Sequence, residues 1–397
     1  MISIDVVFNA IKSGFFNDQF RAFTIEEARK VNDYHKSIPF YKETPLISLR
    51  ELSTYWGISN IFVKDESFRF GLNSFKLLGG SYAIGKLLSS KLKLDCLDFN
   101  KIMQERDRIK NLVLTSATDG NHGRGVAWTA EQFGLKSVIY MPKGSAVERI
   151  KNIEKHGAKV IVTDLNYDDT IKIVRKDAKK NGWIIVQDTA WEDYEEIPLW
   201  IMQGYLTLVY ECYCELAKEN IVPSHVFLQA GVGAFAGAAA AFFYQVYGDK
   251  CKIIIIEPEA APCLYESIKK GTPQKISGEL NTIMAGLACG EVNPIGWEIL
   301  KNVTSAFIKC KDYLSANGMR ILSNPLKNDK RVISGESGAV SIGVLDYLLN
   351  SVELKNIKNN LNFSKDTKVL VFSTEGATDY ENFEKIIWYG KHYDPNY

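Results

Sequence analysis

Lys76 stands between two apolar neighbours, Phe75 and Leu77, where the turn-rich stretch Gly71 to Ser74 gives way to helix-forming sequence. A lysine so placed is either a solvated surface residue or a partly desolvated amine with the lowered pKa that suits a Schiff base. Position alone leaves both readings open. A second chemical feature is Gly231-Val232-Gly233-Ala234-Phe235, which follows the apolar run Val226 to Gln229 and opens an Ala-rich helical stretch. Backbone N–H groups in such a turn, together with the helix N-terminus, form a cradle for an anion, and a phosphate is its natural guest. Tight packing of helix on sheet explains the same two glycines equally well. Glu257 lies 24 residues after Gly233 at the end of the next apolar run, near the spacing at which a dinucleotide-binding fold places its ribose-binding acid. A nicotinamide-dependent oxidoreductase is therefore a rival reading. Three further polar segments follow apolar runs: Lys64-Asp65-Glu66, Ser116 to Gly123, and Ser373-Thr374-Glu375-Gly376.

The elements that must position these groups are short β-branched runs alternating with longer helical patterns, which predicts a parallel sheet flanked by helices. Strands are expected at 61–64, 112–115, 137–140, 160–162 and 183–186, and, after a gap, at 226–229, 253–256 and 369–372. Helices are expected at 146–156, 168–181 and 339–349, with the last opened by Gly338. The two sets of strands predict two lobes. Ligands of open α/β sheets bind beyond the carboxyl ends of the strands, which is where all the segments named above fall. Residues 89–110 are charged and weakly periodic and read as a surface insertion with a helix, and the tail from His392 is expected to fray. No repeat or low-complexity stretch interrupts the pattern.

A length of 397 residues predicts two domains or one large two-lobed unit. Hydrophobic residues make up 46% and charged residues 24%, which excludes a disordered or fibrous chain. Forty-eight basic against 47 acidic side chains give no global field to hold nucleic acid or an anionic membrane, so a small molecule is the expected partner. The first residues lack a basic segment followed by an apolar core, so export is not expected. The longest apolar stretch, 231–243, is shorter than a membrane span and reads as a buried helix. Seven cysteines without a CxxC fit a reducing cytoplasm, and five histidines with no i, i+4 pair predict no metal site. Asn302-Val303-Thr304 and Asn362-Phe363-Ser364 match a glycosylation pattern by chance.

Taken in order, Asn73-Ser74-Phe75-Lys76, Gly120-Asn121-His122-Gly123, the glycine turn at 231–235 and Glu336-Ser337-Gly338-Ala339 resemble the fold-type II family of pyridoxal phosphate enzymes, over roughly residues 45 to 380. The resemblance implies an α/β fold of two lobes, each an open, mostly parallel twisted sheet flanked by helices, similar to the tryptophan synthase β chain. It implies a large cofactor-binding domain of residues 1–75 and 188–397, a small domain of residues 76–187, and a homodimer. Lys76 resembles the lysine that holds the cofactor aldehyde, and Asn121 the amide that hydrogen-bonds the ring hydroxyl. Gly231, Val232, Gly233, Ala234 and Phe235 resemble the phosphate cradle, and either Ser373 or Thr374 the hydroxyl that meets the pyridine nitrogen.

Within the family the chain is most similar to the branch that eliminates ammonia from 2,3-diaminopropionate, through segments that include 64–67, 71–80, 116–127, 187–191, 229–237 and 282–297. The loop Ser116-Ala117-Thr118-Asp119-Gly120-Asn121-His122 has two residues more than the Ser-Ala-Gly-Asn-His of the commoner dehydratases, which places Asp119 where substrate should lie. By itself, an aspartate before glycine is an Asx-turn or a helix cap. The resemblance makes Asp119 a base opposite Lys76. Asp188 is either a helix N-cap or the carboxylate that fixes the substrate's β-ammonium. The implied substrate-binding set is Ser116, Thr118, Asp119 and Asp188, and the implied catalytic set is Lys76, Asp119 and Asp188. His122 reads as structural, and Cys263 and Cys289, near the site mouth, as free buried thiols, with a disulfide or redox-sensitive pair as the alternative. The implied activity is elimination from D- and L-2,3-diaminopropionate to pyruvate and ammonia. A serine or threonine dehydratase or a β-replacement enzyme of the same fold is the alternative.

Overall fold

The computed structural model describes residues 3–14, 18–118 and 120–394. Its strands, in chain order, are β1 (Ile4–Phe8), β2 (Leu46–Ser48), β3 (Asn60–Asp65), β4 (Val113–Ala117), β5 (Lys136–Met141), β6 (Lys159–Val162), β7 (Ile184–Ile185), β8 (His225–Gln229), β9 (Lys252–Pro258), β10 (Ala306–Cys310) and β11 (Lys368–Ser373). They form a seven-stranded sheet, β1-β10-β9-β8-β11-β3-β2, and a four-stranded sheet, β6-β5-β4-β7. Neighbours in the smaller sheet all run parallel. In the larger sheet the inner five strands are parallel, and β1 and β2 close the two edges antiparallel. Ile253, Ile254, Ile255 and Ile256 of β9 are wholly buried, as a parallel strand covered on both faces requires.

The chain divides into two units: residues 1–25, 43–73 and 208–397 around the large sheet, and residues 26–42 and 74–207 around the small one. The expected boundaries are thus displaced at three places, for reasons visible in the packing. Residues 26–42 join the small unit because helix Ile25–Ser37 buries Tyr34 and His35 there. Tyr34 Oη donates to Ser81 O at 2.9 Å, and His35 reaches Thr207 Oγ1 at 2.6 Å and Leu78 O at 3.1 Å. The boundary expected at 187 moves to 207 because helix Glu196–Gly204 lies directly on helix Lys76–Leu92. A Cβ at Gly204 would come within 2.3 Å of Leu78 O, and one at Gly79 within 2.7 Å of Ile201 Cγ2. Only glycine allows so close an approach of two backbones. Within residues 89–110 a short helix, Phe99–Gln104, buries Phe99 and Ile102, so that segment is anchored to the core.

Beside β3 the large unit buries four charges. The Nζ of Lys64 donates to Glu211 and, at 2.7 Å, to Thr44 O. Arg69 holds Glu66 through Nε and Nη2 and Glu211 through Nη1 and Nη2, each contact 2.8 Å long. None of the four side chains exceeds 2% exposure. Burial alone would push the Glu211 carboxyl up, but Arg69 and Lys64 hold it well below the usual carboxylate range. Two positive and two negative charges cancel, which is the condition for such a group to persist in a low dielectric.

Candidate active site

In the small unit Lys76 is the first residue of helix Lys76–Leu92. Its place is set from two sides, because a Cβ at Gly125 of helix Asn121–Phe133 would come within 2.9 Å of Leu77 Cα, while Gly204 abuts Leu78. The Nζ of Lys76 donates to Asp188 Oδ2 at 2.7 Å and lies 5.8 Å from the centre of the Phe75 ring. The Tyr205 ring packs on Phe75 at 4.7 Å, and its hydroxyl also interacts with Lys76. Burial would raise the pKa of Asp188, yet Lys76 and His122 more than offset it and keep the carboxyl well below its ordinary range. His122 Nε2 donates to Val186 O at 2.8 Å, which turns Nδ1 toward Asp188 Oδ2 at 4.0 Å. Asp188 is therefore not a helix N-cap: the next helix starts at Glu196, and the Asp188 carboxylate is engaged by Lys76.

In the loop after β4, Ser116 and Thr118, expected at the substrate, are both buried and hydrogen-bonded within the loop and its neighbours. Ser116 Oγ donates to Gln187 Oε1 at 3.0 Å, and Thr118 Oγ1 accepts from Gly120 N at 2.9 Å and Gly123 N at 3.0 Å. That threonine performs the capping duty the sequence offered to Asp119. Asp119 lies outside the described residues. Asn121 is the first residue of its helix, and Gly120 before it has φ 152°.

In the large unit the turn after β8 has the form a phosphate cradle needs. Gly233 has φ 92° and caps helix Ala234–Tyr247, whose first N–H groups have no acceptor within the helix. A Cβ at Gly231 would meet Cys289 Sγ at 3.0 Å and Leu287 Cα at 3.2 Å, and one at Gly233 would meet Leu264 and Leu300 at 3.2 and 3.3 Å. Both glycines sit in close quarters and Gly233 takes a positive φ that favours glycine, so the turn offers backbone N–H groups bare of side chains at a helix N-terminus, and the residues present fit a phosphate on that ground. Asn293 N donates to Val232 O at 2.7 Å and ties down the turn, while the Phe235 ring packs edge-on against Phe372. Ser373 ends β11 and donates to Glu375 O at 3.4 Å; Thr374 follows it and accepts from Gln229 Nε2 at 2.9 Å.

Two features read as chemical in the sequence, the segment Lys64-Asp65-Glu66 and Glu257, turn out to be scaffold. Lys64 and Glu66 belong to the buried charge cluster, and Asp65 caps Ser67 N at 3.1 Å. Glu257 binds Leu264 N at 2.8 Å and Tyr265 N at 2.6 Å at the start of helix Cys263–Lys270, so it caps a helix and has no ribose to meet. Burial raises its pKa to about 8. Cys263 and Cys289 are both free thiols, the first buried as expected and the second only partly buried. Conversely, sequence reasoning passes over Tyr205 and Gln229 and leaves His122 structural. Gln229 carried a usable signal, as a polar residue closing an apolar strand before the glycine turn, whereas Tyr205 carried none. Among the described residues no cluster of metal-ligating side chains occurs, and no helix is long and apolar enough to cross a membrane.

Residues 38–373 match the family described as pyridoxal-phosphate dependent enzyme. The chain is 47% identical over 395 residues, 98% of each sequence, to diaminopropionate ammonia-lyase of Escherichia coli K12. It is 49% identical over 367 residues to the enzyme of that name from Salmonella typhimurium LT2, covering 90% of this chain and 91% of the relative. The crystal structure of the Escherichia coli enzyme in complex with D-serine superposes with a TM-score of 0.92 at 46% identity, covering 98% of both chains.

Proposed function

The chain belongs to the pyridoxal-phosphate dependent enzyme family, and from that premise we propose that it catalyses α,β-elimination of D- and L-2,3-diaminopropionate to pyruvate and ammonia. The observation that carries this reading is the likeness over 98% of both sequences to an enzyme named for that reaction. The fold is the α/β, two-sheet architecture of fold-type II enzymes.

Bound through its aldehyde to the substrate amine, pyridoxal phosphate draws electrons from the α-carbon and acidifies its proton. The chain's own residues supply the rest. Lys76 is the amine that would hold the cofactor aldehyde at rest, and Asp188, ionised beside it, orients its Nζ by a charge-assisted hydrogen bond. With its amine free, Lys76 would be a base for the α-proton on its own face. Asp119 is the base for the opposite face, which accounts for acceptance of both stereoisomers. Asp188 also fixes the β-ammonium by a charge-assisted hydrogen bond, so that the leaving nitrogen departs as ammonia. Water then converts the unsaturated amine to pyruvate with release of a second ammonia. Backbone N–H groups of Gly231 to Phe235 hold the phosphate, Asn121 the ring hydroxyl, and a hydroxyl of Ser373 or Thr374 the ring nitrogen.

The same reading makes the protein a cytoplasmic homodimer. Its seven cysteines are all free thiols, as a reducing compartment favours. The purified chain is expected to release pyruvate from D- and L-2,3-diaminopropionate; turnover of serine or threonine with none of diaminopropionate would overturn the proposal. Borohydride reduction of the cofactor-loaded chain should leave a pyridoxyl group on Lys76, and Lys76→Ala should abolish both label and turnover while leaving the fold intact. A label on any other lysine removes Lys76 from its role.

A further inference from the structure

We infer that Gln229 is a positioning residue that makes Thr374, and not Ser373, the hydroxyl donating to the pyridine nitrogen of the cofactor, an inference that rests on the cofactor reading above. The argument is one of proton direction. Gln229 closes β8 with 2% exposure, and its Nε2 lies 2.8 Å from the carbonyl oxygen of Phe372. A carbonyl oxygen can only accept, so the amide must present its NH2 group on that side. Ser341 Oγ donates to the other end, Oε1, at 3.5 Å and agrees with this orientation.

The same Nε2 has one further proton, and Thr374 Oγ1 lies 2.9 Å away. Thr374 must therefore accept from Gln229, and its own proton is left to point elsewhere. Ser373 is in the opposite situation, wholly buried with its proton donated to Glu375 O at 3.4 Å. Of the two adjacent hydroxyls, Thr374 alone has a proton to offer an acceptor such as an unprotonated pyridine nitrogen. Phe372 O and Thr374 Oγ1 share one donor nitrogen. Removing that nitrogen leaves the carbonyl short of a donor and frees the threonine hydroxyl to turn toward it.

The test compares binding of pyridoxal phosphate with that of its 1-deaza analogue, in which CH replaces the ring nitrogen, to the full-length chain freed of cofactor. A role confined to packing lowers both affinities alike, whereas the hydroxyl bond shows in their ratio. The parent should prefer pyridoxal phosphate by about tenfold, the usual worth of one such bond. Thr374→Val and Gln229→Met should bring the ratio close to one, while Thr374→Ser and Ser373→Ala should keep it. Should Gln229→Met fail to fold, as judged by circular dichroism, Gln229→Leu removes the same donors with an apolar side chain of different shape and is read in the same way. Retention of the preference in the Gln229 variant, or its loss in Ser373→Ala, overturns the inference. A parent that binds both compounds equally also overturns it but leaves the cofactor reading standing, whereas a parent that binds neither removes the cofactor reading and the inference together.

Discussion

Asp188 is buried beside a lysine and a histidine, and those neighbours decide its charge. Burial favours the protonated acid, but Lys76 and His122 prevail, so the carboxylate stays ionised throughout the range in which an enzyme works. Asp188→Asn keeps the size of the side chain and removes the charge. Turnover should fall about 10²-fold or more for both isomers, because both present the same β-ammonium. Asp119→Asn should cost a similar factor chiefly on the D isomer, as measured by steady-state kinetics on each isomer; equal, near-parental rates would reduce Asp119 to a loop residue. At this scale the sequence was legible in local placement, which put Lys76 at the start of a helix and the glycine turn between a strand and a helix. It did not reveal the bonds that hold the loop, in which Ser116 donates to Gln187 Oε1 and Thr118 accepts from Gly120 N and Gly123 N, because these partners are fixed by the fold. Nothing local marks Tyr205, because its meeting with Lys76 depends on how two helices pack.

That packing belongs to the helices. Gly79 lies inside its helix, where glycine is normally a liability, and Gly204 ends the other, and they are points at which Lys76–Leu92 and Glu196–Gly204 touch. Gly204→Ala would set a methyl 2.3 Å from the Leu78 carbonyl, forcing the helices apart. We expect a loss of about 3 kcal/mol in urea denaturation, at the upper end for overpacking. Lys76, two residues from the contact, should then label less efficiently with cofactor. All eight strands expected from the sequence are present, though β7 shrinks to two residues. β1, β2 and β10 were not foreseen. β2 has three residues, and β1 is an exposed antiparallel edge in which apolar runs carry little information. β10 carries Lys309 within an otherwise apolar run, and its chemistry is explained by Glu266, 43 residues away, to which it donates at 3.2 Å.

For the molecule as a whole, the acid limit of stability should involve His225. Its ring is buried against Phe363, Nε2 donates to Leu361 O at 2.7 Å, and burial lowers its pKa to about 4. The unfolded chain binds this proton near pH 6.5 and the folded chain only near pH 4, so stability present above pH 6.5 is lost as pH falls between those values. Denaturation midpoints should show this slope, and His225→Gln, which keeps a donor for Leu361, should flatten it. An unchanged slope would assign acid sensitivity to other groups. The buried group of Lys64, Glu66, Arg69 and Glu211 acts on a longer timescale, that of sequence divergence. Losing any one member strands a charge in a dry interior at a cost of about 3–5 kcal/mol, against a typical total of about 5–15 kcal/mol. Replacing the set by apolar residues of similar volume can be neutral. Single steps are thus penalised and concerted ones are not, so the four positions should be inherited as a block, and descendants should carry either all four charges or none.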